Sequence, residues 1–387
     1  MRSILSLDQH CFCIGPQPPE GATELPRELP FRLGVHPRYA IPRLLLDELV
    51  SSALDRAYKR GSMLSTPLGE SPLADSRMSE MIEGLAATLG RPLADCNLLE
   101  IGAGTGGLMS ALRDRGAKVT GVEIGPQGKI GAERYGLVIV DRPFVPGLFD
   151  ERFDAVYSYG CLEHLDDLDT FFSACRSSLR EGGLMFHSVP NSELLFESGS
   201  LDHLAHEHIN YFSAKNGIRL LQAQGFSPAG ARYSRAGNEL ALWGVMNSSC
   251  ETSWPSDALA SETERLTDYA NNLHECTARA QHRLEALVAS GGSVGFYAGG
   301  YEYGFRMTGR NIRYFDGDTY KHGLVWLAGL PAIESPEDLR REPVDHLVIF
   351  KPHHFPAIVG TLQAMNIPKT RFWNIASFRE EDPVTDQ

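Results

Sequence analysis

No run in this 387-residue chain approaches the roughly 18 consecutive apolar residues of a membrane-spanning helix, so no membrane partner is expected. Positive charge is scarce. Against 49 Asp and Glu stand 36 Lys and Arg, for a formal net charge of −13. A general nucleic-acid binder needs a basic face to displace counterions, so no nucleic-acid partner is expected either. The seven cysteines, at positions 11, 13, 96, 161, 175, 250 and 276, are odd in number and scattered. They offer no disulfide framework and suit a reducing compartment. Asp8, His10 and several prolines stand where an export signal would need unbroken apolar residues, which makes the cytoplasm the expected location. Cys11 and Cys13 form one Cys-x-Cys with no second pair, a poor zinc signal, and are read as ordinary thiols.

The length exceeds one average domain, so two domains with appendages are expected. Residues 1 to 30 carry Pro16, Pro18, Pro19, Pro26 and Pro30 and little periodicity, which predicts irregular structure or an extended arm. Leu44, Leu45, Leu49 and Leu54 predict an amphipathic helix over 42–59, and Met78, Met81, Ile82, Leu85 and Leu89 another over 76–89. A Gly/Ser/Pro-rich connection, 61–72, lies between them. Strands at about 97–101, 118–123, 137–140, 153–158 and 184–189 then alternate with helices at about 105–115, 126–135 and 167–180. Arg180-Glu181-Gly182-Gly183 reads as the stop of the last of these helices. A helix over 213–224 and a strand over 239–246 follow.

Trp254-Pro255 marks a break, and 257–289 reads as a polar helix with Leu266, Leu273, Ala280 and Leu287 each seven apart. A second βα pattern begins at Gly291-Gly292, with strands near 293–298, 312–315, 346–350 and 372–375 and a helix near 355–365. The charged last eight residues are expected to fray. The expected fold is α/β, a doubly wound Rossmann-like sheet with a helical N-terminal region and a second, smaller C-terminal Rossmann-like domain. The divisions are 1–74, 75–250, 251–290 and 291–387.

In Leu98-Leu99-Glu100-Ile101-Gly102-Ala103-Gly104-Thr105-Gly106-Gly107 a strand runs into a turn with glycine at alternate positions, and a helix follows. Glycines there let a ligand approach the backbone. Gly102, Ala103, Gly104 and Gly106 form the turn, and Glu123 ends the next strand about 20 residues on, where a carboxylate can accept both hydroxyls of a ribose. Asp141 follows the third strand, within reach of an adenine amine, and Tyr159-Gly160 and Leu162-Glu163-His164 follow the fourth. Glu100 reads either as a cofactor contact or as the carboxylate that orders the turn. Nicotinamide-dependent enzymes share such a turn. Its place after a helical cover, the Glu-x-Gly-x-Gly-x-Gly form and the Leu162-Glu163-His164 sequel point instead to S-adenosylmethionine (SAM) as the cofactor.

The second constellation is Leu201-Asp202-His203-Leu204-Ala205-His206-Glu207-His208-Ile209-Asn210-Tyr211-Phe212-Ser213. Three readings apply to it. Glu207 can orient a neighbouring histidine as an acid/base pair; Ser213 can cap the next helix; or His203, His206 and His208 can ligate a metal. The acid/base reading is preferred, and no residue is assigned to a metal.

Residues from about 40 to 375 resemble the sugar-nucleotide C-methyltransferases of deoxysugar biosynthesis, class I SAM-dependent enzymes with an extra C-terminal domain. The resemblance rests on Leu99-Glu100-Ile101-Gly102, on His206 to Ser213, and on the C-terminal stretches Gly295 to Gly304 and Asp316 to Gly323. The family's N-terminal four-cysteine zinc module is not present, and its tyrosine three residues before the catalytic histidine is Ala205 here. The resemblance implies that His208 is the general base with Glu207 as its partner, and that Tyr58 faces the substrate. His206, Asn210, Tyr211, Tyr301 and Lys321 complete the expected substrate contacts. It implies a small-molecule substrate, at best a keto-deoxysugar nucleotide methylated on carbon. O- or N-methylation of a non-sugar intermediate is the alternative.

Overall fold

Three strands open the chain: β1 (Leu5–Cys11), β2 (Glu28–Val35) and β3 (Pro42–Leu44), forming a sheet in that order. They replace the expected N-terminal arm and the first turn of the expected 42–59 helix. The signal in β2 is alternation, with Leu29, Phe31 and Leu33 buried. Pro30 interrupts it, and β2 meets β3 through Leu33, Gly34 and Val35. The helix itself is Glu48–Arg60, started where the Asp47 carboxylate accepts the Val50 N–H and ended at Gly61, φ +83°.

The computed structural model describes residues 1–61, 66–247, 257–304, 306–307 and 311–376; Trp254-Pro255 and the last eight residues lie outside them. The chain divides into two compact units. The first comprises Met1–Ser6, Phe31–Glu197 and His206–Asp268, the second Leu7–Pro30, Ser198–Ala205 and Tyr269–Gln387.

In the first unit β4 (Asn97–Ile101), β5 (Lys118–Val122), β6 (Ile139–Val140), β7 (Phe153–Tyr159), β8 (Leu179–Pro190), β9 (Phe226–Tyr233) and β10 (Glu239–Met246) make one sheet. Its order is β6-β5-β4-β7-β8-β10-β9. β4 to β8 are parallel, and β10 runs antiparallel to both neighbours. A parallel strand is covered on both faces, which is why Leu98, Leu99 and Ile101 are all buried. One face packs on helix Leu168–Ser178 through Phe171, Phe172 and Cys175. The other packs on helix Pro72–Leu89 through Met81, Ile82 and Leu85. This is the doubly wound sheet.

Two details differ from expectation. Helix Leu168–Ser178 runs straight into β8, so Arg180 to Gly183 lie inside the strand, where the β7–β8 register shifts. β9 was not foreseen because Pro228 and Gly230 break its pattern; it is an edge strand, where a missing N–H is tolerated.

In the second unit β11 (Val294–Tyr297), β12 (Ile312–Phe315), β13 (Ile333–Glu334), β14 (His346–Ile349) and β15 (Arg371–Asn374) pair in parallel as β13-β12-β11-β14-β15. This is the smaller Rossmann-like sheet, with Phe315, Leu347, Ile349, Phe355 and Leu362 in its core. The long helix is Ala258–Ala289, and Leu266, Leu273 and Ala280 of its seven-residue repeat are buried.

Candidate active site

The glycine turn sits at the carboxyl end of β4, where open α/β sheets bind ligands. The N–H groups of Gly102 and Ala103 both donate to the Val122 carbonyl, at 2.9 and 3.1 Å, which folds the turn over β5. Gly102 and Gly106 lie at φ +72° and +78°, the left-handed region. A Cβ at Gly106 would stand 2.7 Å from Leu137, and one at Gly102 3.1 Å from Cys161. Glu123 closes the cradle. Its Oε2 accepts the Gly104 N–H at 2.9 Å and its Oε1 the Gly125 N–H at 2.6 Å. Oε1 also accepts from the Gln127 carboxamide at 3.4 Å, so Oε2, with two lone pairs and one donor, is the oxygen that keeps a place for a ribose hydroxyl. The cradle therefore fits a nucleoside-bearing cofactor.

Glu100 stands in β4, two residues before the first glycine of the turn. It is buried, accepts the Tyr157 hydroxyl at 3.0 Å, and burial pushes its pKa up to about 8. Of the two readings of Glu100, the ordering carboxyl is the one this placement supports. Tyr159 likewise turns its hydroxyl to Glu239 and not to the cradle, whereas Gly160, φ +63°, stays at the strand end. Asp141 is exposed at the end of β6.

The segment His206 to Ser213 is held from three sides. Its backbone bridges β3, with Leu44 N–H to Ile209 O at 2.9 Å and Tyr211 N–H to Pro42 O at 3.0 Å. The Glu163 carbonyl takes the N–H groups of Ile209 and Asn210, at 2.8 and 2.9 Å. The Ser192 hydroxyl donates to Phe212 O at 2.6 Å. Ser213 and Asn216 complete a reciprocal cap on the next helix, so the capping reading of Ser213 is also correct.

These constraints place His208 beside the turn Leu162–His164. The rings of His164 and His208 stand edge to face at 5.2 Å, and Tyr211 lies 6.4 Å from His208 on another side. The His164 Nδ1–H donates to the Glu207 carbonyl at 2.7 Å, and burial holds the ring's pKa down at about 4, so it is neutral. Burial pushes the Glu163 carboxyl up to about 8. The Tyr58 hydroxyl is buried without a hydrogen-bond partner, and its pKa is raised by burial and by Glu207, Cys161 and Glu163.

Residues 73–229 match the family model described as "Methyltransferase domain". The chain carries a class I methyltransferase domain. Its cofactor is SAM, which the Gly102 to Gly106 turn and Glu123 would hold. Among curated proteins, the ubiquinone biosynthesis O-methyltransferase of Cereibacter sphaeroides is 36% identical over 120 residues, 29% of this chain and 48% of that protein. The enzyme of that name from Methylocella silvestris is 36% identical over 111 residues, 27% and 43% respectively. The chain thus spans about half the length of the curated relatives it matches. A solved Burkholderia thailandensis 1,6-didemethyltoxoflavin-N1-methyltransferase is 22% identical, covering 56% of this chain and 95% of its own at a TM-score of 0.38.

Several of the expected substrate contacts within the methyltransferase domain have partners in the protein itself. His206 is fully buried and packs edge to face on Phe31 at 5.1 Å. Asn210 spends its amide N–H groups on the carbonyls of Leu162 and Leu165, at 3.3 and 2.6 Å, and so positions the loop. Tyr211, stacked on Phe196, keeps a buried hydroxyl with no hydrogen-bond partner. In the second unit Tyr301 stacks on Trp326 at 4.9 Å, and Lys321 pairs with Asp316 at 2.8 Å. His203 belongs to the second unit, beside Asp202. Among the described residues, the group whose donor atoms can gather on a metal is Glu163, His164 and His208. Sequence reading set Leu162-Glu163-His164 at the sheet edge without giving Glu163 or His164 a role; their signal was an acid and an imidazole just past the strand end.

Proposed function

We propose that this chain transfers the methyl group of SAM to a small polar metabolite, with His208 as the general base and Glu207 as its partner. The observation that carries this reading is the convergence of the glycine cradle and the Glu207-His208 loop on the turn Leu162–His164. Cys161, next to that turn, abuts Gly102, and the Glu163 carbonyl pins Ile209 and Asn210. Bound SAM supplies an electrophilic methyl on a sulfonium. The protein's part is to bind the acceptor and move its proton. His208 takes a proton from a carbon next to a carbonyl, or from a hydroxyl, and leaves that atom nucleophilic. A well-placed base of this kind contributes about 10²–10⁴-fold.

Resemblance of the His206 to Ser213 segment to the sugar-nucleotide enzymes supports a keto-deoxysugar nucleotide methylated on carbon. The curated relatives are named O-methyltransferases, which supports the second reading, transfer to oxygen. Solvent-deuterium exchange separates the two. A keto acceptor treated with enzyme in D₂O should gain deuterium at the carbon to be methylated, and His208→Ala should slow exchange and turnover at least a hundredfold while SAM affinity holds. Turnover unaltered in His208→Ala rejects the base; methyl transfer without any exchange favours the oxygen acceptor.

A further inference from the structure

Glu163, His164 and His208 each offer one ligand atom, and the three atoms lie within 4.8 Å of one another. Two are imidazoles and one a carboxyl, the donor set that suits zinc-class divalent ions. Three further observations bear on whether this is a site or an accident of packing. The first is orientation. The Glu207 carbonyl can only accept, so the proton of His164 sits on Nδ1 and the lone pair on Nε2, 3.8 Å from Glu163 Oε1. A second ring nitrogen fixed by a backbone carbonyl is the usual support of a metal-ligating histidine. The second is vacancy on the ligand. Glu163 is 2% exposed, and its Oε2 is buried with no hydrogen-bond partner. The third is rigidity: the Glu163 carbonyl holds the N–H groups of Ile209 and Asn210, which fixes the loop bearing His208 against the turn bearing the other two donors.

We propose that Glu163, His164 and His208 form a divalent-cation site of the zinc class, and that filling it withdraws His208 from its role as base. The second clause rests on the function proposed above. Zinc bonds of about 2.0–2.2 Å set neighbouring ligand atoms about 3.4 Å apart, so the three donors close on an ion by side-chain shifts of about 1 Å. Three protein ligands leave a fourth position open for water or for an acceptor oxygen. The bound ion takes the lone pair of His208 that would otherwise receive the acceptor's proton. The methyltransferase domain would then be active when metal-free and silenced by a zinc-class ion, reversibly.

The test uses the full chain, stripped with chelator and titrated with Co(II), followed by competition with Zn(II). One tight equivalent should appear, with visible absorption bands of Co(II) in a site of low coordination number that Zn(II) abolishes. Glu163→Gln and His164→Ala should each weaken it at least tenfold while SAM affinity stays within twofold of wild type, which shows that both variants are folded. A wild type with no saturable equivalent, or an equivalent that survives both substitutions, overturns the site. With an acceptor in hand, saturating Zn(II) should cut turnover at least tenfold and excess chelator should restore it. Unchanged or raised turnover with the site filled overturns the withdrawal of His208 and leaves the site standing. Absence of methyl transfer in both metal-free and metal-loaded protein would instead count against the methyltransferase reading, because the titration decides the site by itself.

Discussion

The phenol of Tyr58 is buried, bonded to no protein group, and set among the carboxyls of Glu207 and Glu163. A buried hydroxyl left unsatisfied costs about 1–3 kcal/mol, a burden a protein relieves easily by carrying phenylalanine. Tyr58→Phe should therefore leave thermal stability unchanged or raise it, and lower turnover at least tenfold, because the hydroxyl's remaining use is toward an acceptor. A loss of stability together with unaltered turnover would make Tyr58 a packing residue. At this scale the sequence was legible where backbone geometry declares itself in residue type, as at Gly102, Gly104 and Gly106, all at positive φ. It pointed Asn210 toward substrate, whereas the amide is committed to carbonyls at 162 and 165. No local pattern reveals a hydrogen-bond partner that distant in the chain.

Elements were legible in proportion to how fully they are buried. β4, β5 and β7 read as apolar runs because parallel strands are covered on both faces. The two-residue β13 and the proline-broken β9 carry no such run, and β2 hides its alternation between prolines. The helix Ala214–Ala223 is the element that ties loop to sheet, and its start depends on the Ser213 hydroxyl accepting the Asn216 N–H at 3.1 Å and the Asn216 carboxamide accepting the Ser213 N–H at 2.9 Å. Both residues are buried, so water cannot replace the lost partners. Ser213→Ala should cost about 1–2 kcal/mol, read as a fall of roughly 2–4 °C in Tm. It should also slow turnover, since the helix anchors the segment that carries His208; an unshifted Tm would show that the cap contributes nothing.

Across the whole molecule, buried acids set the response to pH above about 6.5, and buried histidines set it below. Glu100 in the first unit has its pKa pushed up to about 8 by burial, and Glu302 in the second up to about 7 by burial and by the charge of Asp202. Unfolded, both ionise near 4.5. Between those values the unfolded chain has released protons that the folded chain still holds, so these two acids lower stability as pH rises. Buried histidines such as His10 and His164, held down to about 4 against 6.5 unfolded, act the opposite way below about 6.5, so the net fall belongs between about 6.5 and 8. Urea midpoints measured from about pH 6.5 to pH 8 should decline in the wild type and decline less steeply in a Glu100→Gln, Glu302→Gln variant. Parallel lines for the two proteins would place the pH dependence elsewhere.

The second unit is stitched from three separate segments, and Gln17 pairs with Val325 on both sides, N–H to carbonyl, at 3.0 and 2.9 Å. On a ribosome, about 300 residues separate the first of those partners from the second, which at 5–20 residues per second is a wait of roughly 15–60 s. For that interval Leu7 to Pro30, with Phe12, Leu25 and Leu29 among the side chains it later buries, has no finished unit to join. The glycine cradle has most of its residues much earlier. Nascent chains of this protein should thus depend on chaperones to shield Leu7 to Pro30, and a gene cut between the units would yield neither half.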